Sequence, residues 1–262
     1  MLRLAANLST LFTDRPLAER FAAAAEAGFR AVEIQFPYAL SPAEIRDRLR
    51  AHDLQLVLFN APPGDTARGE RGIAALPGRE ADFAASIDTV RAYASATGCR
   101  RIHVMAGMLR PDATRAAQLA CFARNLAAAA ARVASDGIDL LLEPINSRVD
   151  VPGYVLDSTD DAVDIIRVSG AANLGLQFDF YHQQIQTGDL ARRFDTLLPL
   201  IRHLQIADNP GRHEPGTGEI NYAWLLQHVA DSAYGGWVGC EYLPTANGAE
   251  SLRWAREWLR PS

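Results

Sequence analysis

The chain has 262 residues, 48% of them hydrophobic, and a formal charge of -5 with acidic and basic residues interleaved. This is enough apolar material for a large single core. The charge pattern excludes a basic nucleic-acid stripe and a polybasic membrane-binding segment, which leaves small molecules as the expected partners.

From the N-terminus, "MLRLAANLSTLF" lacks the apolar core and cleavage pattern of a secretory signal, and no later run is long enough to span a bilayer. Cys99, Cys121 and Cys240 are scattered and form no CxxC knuckle, so a reducing cytoplasm and buried thiols are expected. The first strand, "LRLAAN", is followed by a helix over "LAERFAAAAEAGF", and "RAVEIQ" by a helix over "SPAEIRDRLRAHD". In the latter, Ser41 is the cap, Pro42 fills the first turn, and Glu44 follows. The third strand, "LQLVLFN", leads into "NAPPGDTARGERGIAALPG", a long glycine- and proline-rich segment read as an active-site loop with one short helical turn. A helix over "READFAASIDTVRAYASATG" precedes the fourth strand, "RIHVMA", and "AAQLACFARNLAAAAARVASDG" precedes the fifth, "DLLLEPI". Helices are then predicted over 160–168, 190–200, 222–231 and 249–259, around the strands "LGLQFDF", "IRHLQIAD" and "WVGCEYL".

Eight strands alternating with helices in a chain of this length predict a single-domain (β/α)8 TIM barrel over residues 1–262. A doubly wound open sheet is the alternative, but no GxGxxG follows the first strand. In a barrel, catalysis is sought where strands end. Four successive strands place an oxygen-bearing side chain there: Glu143 in "LLLEP", Asp179 in "GLQFDF", Gln205 in "HLQIAD" and Glu241 in "VGCEYL". Taken singly, each fits a strand-end ion pair or a satisfied core amide. Neighbouring strands are about 4.8 Å apart, so the four can converge on one ion. Gathered carboxylates need a compensating charge, and a donor set of three carboxylates and an amide oxygen favours Mg2+ or Mn2+. No organic cofactor is expected. Cys240, next to Glu241, is expected to face away from the lumen by strand alternation.

"LLLEPIN", "LGLQFDFYH", "RHLQIADNPGRHEPGTGEINY" and "GGWVGCEY" together resemble the hydroxypyruvate isomerase family of the xylose-isomerase-like barrel superfamily, along essentially the whole chain. The resemblance implies that Glu143 and Glu241 are the acid/base pair and also metal ligands, with Asp179 and Gln205 completing the site. Related ketose epimerases usually carry histidine where Gln205 stands, which favours the isomerase branch. The three-metal nuclease relatives use several more histidines at their sites, and this chain has six in total, which speaks against DNA repair. His182 resembles a histidine that contacts substrate oxygens, although read alone it is a loop histidine. Arg212 resembles an arginine that grips substrate, and its planar fork suits a carboxylate or enediolate. His213 has no matched role, and Asn60 and His103 are candidates for lining the pocket.

The implied reaction interconverts hydroxypyruvate and tartronate semialdehyde through a cis-enediolate. A 2-oxo-tetronate (phosphate) isomerase, a ketose 3-epimerase and a non-catalytic sugar-acid-binding barrel are the alternatives. The apolar helices would also allow a homo-oligomer.

Overall fold

In the computed structural model, which describes residues 2–246 and 250–259, the eight short apolar runs are parallel strands of one closed barrel. They are β1 Leu4–Asn7, β2 Ala31–Ile34, β3 Gln55–Asn60, β4 Arg101–His103, β5 Asp139–Leu142, β6 Leu174–Asp179, β7 Ile201–Ile206 and β8 Val238–Cys240. Each strand pairs with its neighbours in sequence, and β8 closes on β1 with Leu4 opposite Val238. The helices are α1 Leu17–Glu26, α2 Pro42–Ala51, α3 Glu80–Thr97, α4 Arg115–Val133, α5 Thr159–Ser169, α6 Phe180–Gln186, α7 Leu190–Leu197 and α8 Tyr222–Asp231.

Local chemistry sets these boundaries. At α2 the Ser41 hydroxyl accepts from the Glu44 amide at 3.3 Å while the Glu44 carboxylate accepts from the Ser41 amide at 2.8 Å, a reciprocal capping box with Pro42 just inside it. The expected helical turn after β3 is present over Thr66–Arg68, capped by Asp65. The main hydrophobic core lies between the strands and the surrounding helices, and all three cysteines are buried. Inside the lumen a small apolar cluster of Ala5, Ala31 and Val57, closed by Trp237, sits below a polar layer that includes Asn7, Glu33 and Gln205.

Three expectations are corrected. The segment after Asp179 is helix α6 rather than loop, because the Asp179 carboxylate caps it through the Tyr181 amide at 2.8 Å; His182 is therefore a buried helical residue. The helix expected over 190–200 ends at Leu197, shortly before Pro199, which has no amide hydrogen to continue it. Of the helix expected over 249–259, Ala249 lies outside the described residues, and the remainder holds only a 3-10 turn at Arg253–Ala255. The Ser251 carbonyl, which a helix would give to the Ala255 amide, instead accepts from the Tyr242 hydroxyl at 3.0 Å, while the Ala255 amide turns to Leu252. No described helix is long and apolar enough to cross a membrane.

Candidate active site

The C-terminal mouth of the barrel carries a cavity of about 260 Å3 lined by Glu143, Glu241, His182 and Arg212 among others. This is below the ~300–1,000 Å3 usual for drug-sized ligands and suits a small metabolite. Glu143 directly follows β5, Asp179 ends β6, Gln205 lies in β7 and Glu241 directly follows β8, so barrel topology alone brings four distant positions to one rim. All four are buried. Gly239 sits where β8 faces the Glu33 carboxylate, so strand alternation turns Cys240 outward and Glu241 inward.

Two linked groups result. In the first, His182 Nε2 lies 3.8 Å from Glu143 Oε1 and 3.7 Å from Asp179 Oδ2, and the three residues offer ligand atoms within 4.8 Å of one another. In the second, Arg212 Nη2 meets Glu241 Oε1 at 2.5 Å and lies 3.8 Å from Asp179 Oδ2, with its guanidinium over the Tyr181 ring. The chain holds Arg212 in place through the β7 loop. The buried Asp208 carboxylate accepts backbone amides from Asn209, Gly216, Gly218 and Ile220, and His213, next to Arg212, donates to the Leu243 carbonyl at 2.8 Å.

Gln205 contacts Glu241, but through its nitrogen. Its amide donates to Glu241 Oε2 at 2.6 Å and to Glu33 Oε1 at 2.8 Å, and its oxygen accepts from Gln177 at 2.6 Å. These partners satisfy the buried amide by hydrogen bonding, and ligation through its oxygen requires the amide to turn over. The His182 ring is equally constrained. Asn146 Oδ1 accepts the Val149 and Asp150 amides, each at 3.0 Å, which points its NH2 at His182 Nδ1, 2.7 Å away. Nδ1 is thus an acceptor, and the neutral ring carries its proton on Nε2, facing the two carboxylates.

The electrostatics follow from burial. Burial first, and then Glu241 and Asp179, hold the Glu143 carboxyl well above its ordinary range. Burial lifts Asp179 to about 6 against Arg212, and Glu241 to about 7, again with Arg212 opposing. Burial, followed by the Arg212 charge, keeps the His182 imidazole neutral, and burial followed by His203 pushes His103 down to about 3. Glu143 Oε1 and Asp179 Oδ2 are buried with no hydrogen-bond partner. Two orphaned carboxylate oxygens facing a common space, with further carboxylate beside them, fit a hard divalent cation.

Several contributors were missed by sequence reasoning. Asn7, Glu33, Gln35 and Gln177 all reach this network: Asn7 donates to Glu33 and Glu241, and Gln35 donates to Glu241 Oε1 at 2.9 Å. Asn7, Glu33 and Gln177 are polar residues inside apolar strands, the same signal that singled out Gln205, present in "LAAN", "AVEI" and "LGLQFD". Asn60 and His103 do line the cavity.

The model of the xylose isomerase-like TIM barrel family matches residues 21–262. The chain is 50% identical to 2-oxo-tetronate isomerase of Cupriavidus necator over 99% of both chains. It is 43% identical to hydroxypyruvate isomerase of Escherichia coli over 97% of this chain and 98% of the other. A crystal structure described as AP endonuclease, family 2, from Brucella melitensis superposes with a TM-score of 0.95 at 43% identity, covering 98% of this chain and 99% of that one. The chain belongs to the xylose isomerase-like TIM barrel family and is one of its isomerases.

Proposed function

We propose that this isomerase interconverts hydroxypyruvate and tartronate semialdehyde by moving a proton between adjacent carbons through a cis-enediolate. The observation that carries the reading is the pair of buried glutamates, Glu143 and Glu241, facing one small cavity from β5 and β8 with different hydrogen-bond environments. The curated relatives named above support the reaction class. The four-carbon 2-oxo-tetronate is a second reading, favoured by the 50% identity to the Cupriavidus enzyme of that name.

Glu143 and Asp179, through the unpartnered Oε1 and Oδ2, are the residues that would hold a divalent ion, Mg2+ or Mn2+ by donor chemistry, and Gln205 and Glu241 would join them once the Gln205 amide turns over and releases a Glu241 oxygen. Such an ion supplies stabilisation for negative charge developing on the substrate oxygens. No hydrogen-bond donor holds Glu143 Oε1, so Glu143 is the less encumbered carboxyl and the candidate for taking the carbon proton once a bound cation offsets the burial that favours its protonated form. Glu241 differs: Oε1 accepts from Gln35 and Arg212, and Oε2 from Asn7 and Gln205, so its four in-plane acceptor directions are engaged. This difference supports Glu143 as the group that makes the first abstraction, with Glu241 returning or relaying the proton once a donor is displaced. His182, with its proton on Nε2, donates to a substrate oxygen, and Arg212 favours the charged form of Glu241 against burial at the cavity wall.

The test is NMR of hydroxypyruvate with the protein and Mg2+ or Mn2+ in D2O. Solvent deuterium enters the substrate carbon, and chelator stops the exchange. Tight binding without exchange would favour the passive barrel and overturn the proposal.

A further inference from the structure

We propose that Arg71, on the loop after β3, is the residue that captures the substrate carboxylate. The inference rests on the small-acid reading above and deepens it.

Glu143 and Glu241 line the cavity, so an anionic substrate needs a cation with charge to spare. Arg212 is committed: Glu241 and Asp179 face it, and Tyr181 covers its face. The cavity histidines, His103 and His182, are buried against carboxyl groups of the site, His103 Nδ1 3.3 Å from Glu143 Oε2 and His182 Nε2 3.7 Å from Asp179 Oδ2. Arg71 lines the same cavity, is exposed, and its side chain makes no hydrogen bond or ion pair with any described residue. Among the described residues it is the unspent cation of the site.

The flanking residues fix its base. The preceding Glu70 is bound elsewhere, to Arg79 at 2.5 Å and to the Asp65 amide at 2.7 Å, so it does not neutralise Arg71. The following Gly72 has φ +105, a Cβ there would lie 2.4 Å from the Met105 carbonyl oxygen, and its amide donates to Pro63 at 2.8 Å. Only glycine permits that approach, and it ties the loop to the segment after β4. A rigid base carrying a free guanidinium suits bidentate capture of a carboxylate, leaving the carbonyl and hydroxyl end of the acid for the deeper glutamates.

The experiment compares wild type with Arg71→Gln and Arg71→Lys, using hydroxypyruvate and dihydroxyacetone, in which CH2OH replaces the carboxylate. Arg71→Gln should raise KM for hydroxypyruvate about ten- to a hundredfold with kcat within about threefold. Arg71→Lys should recover part of the loss. With dihydroxyacetone, as substrate or as competitive inhibitor, the variants should match wild type. An unchanged KM for hydroxypyruvate, or equal losses on both compounds, would overturn the assignment while leaving the isomerase reading intact. If wild type itself turns over no hydroxypyruvate, the activity reading fails separately. Calorimetric binding of hydroxypyruvate then decides the role of Arg71: weakened binding in Arg71→Gln upholds it, and equal binding rejects it.

Discussion

The two halves of the barrel lumen contribute different chemistry. β5 to β8 bring Glu143, Asp179 and Glu241 to the rim, whereas β1 to β4 bring Asn7, Glu33 and His103, with Gln35 just beyond β2. The second half supplies the carboxyl groups for which reactive or ligating roles are proposed. The first half supplies partners that hold those groups: Asn7 and Gln35 reach Glu241, Glu33 receives Gln205, and His103 Nδ1 lies 3.3 Å from Glu143 Oε2. The proposed reactive set on one side of the barrel thus takes hydrogen bonds from the other, which barrel closure alone makes reachable.

The strongest test of this contrast lies within the reactive half. Glu143→Gln keeps shape and removes the free base, so turnover should fall by about a thousandfold or more while the circular dichroism stays unchanged. Glu241→Gln should lose comparable turnover, but it also disrupts Arg212 and Gln205 and should raise KM as well. Equal, unimpaired turnover in both variants would remove the acid/base assignment.

Next in size is the pH dependence of metal affinity. Asp179 and Glu241 sit at about 6 and about 7, above their ordinary values, so at pH 5.5 both hold protons that a cation must displace. Affinity should therefore rise with pH by about tenfold per unit for each proton released, and Glu143, whose carboxyl burial also holds up, adds to that rise. Mn2+ titration followed by calorimetry at several pH values reads this directly. A flat profile would mean that neither carboxyl meets the ion.

The supporting half has smaller, structural effects. Glu33 Oε2 lies 2.6 Å from His203 Nε2, and Oε1 accepts from Asn7 and Gln205. Glu33→Gln replaces one acceptor by a donor that faces donors, which should cost about 1–3 kcal/mol in denaturant unfolding. Turnover should fall far less than in Glu143→Gln. A loss as large as that of Glu143→Gln would place Glu33 among the reacting groups and erase the distinction between the halves.

The two halves also differed in legibility. All eight strands were readable because apolar runs alternate with helical patterns, and the placement of Glu143, Asp179, Gln205 and Glu241 on or just after β5 to β8 was readable because each interrupts such a run near its end. Asn7 and Glu33 send the same signal, but their purpose appears only when β1 closes on β8 and brings Asn7 to Glu241, 234 residues away in sequence. Asp179 shows how one residue can conceal a second role: Oδ1 caps α6, while Oδ2 is buried without a hydrogen-bond partner beside His182 and Arg212. The proton position on His182 depends on Asn146, whose amide orientation is set by a tight turn that sequence pattern does not encode.

Gly239 tests the dependence between halves with the least chemical change. A Cβ built there would lie 2.2 Å from Glu33 Oε2 and 2.4 Å from Oε1, so the glycine on β8 is the space into which the β2 carboxylate projects. Gly239→Ala adds one methyl group, leaves every donor and acceptor in place, and forces Glu33 away from His203, Asn7 and Gln205. Overpacking of this kind should cost about 1–3 kcal/mol, at or below the cost of Glu33→Gln. Because Gln205 also holds Glu241, a modest rise in KM should accompany the lost stability, and combining Gly239→Ala with Glu33→Gln should cost less than the sum of the two. Full additivity would show that the small residue and the buried carboxylate act independently, and that the coupling across the lumen does not run through them.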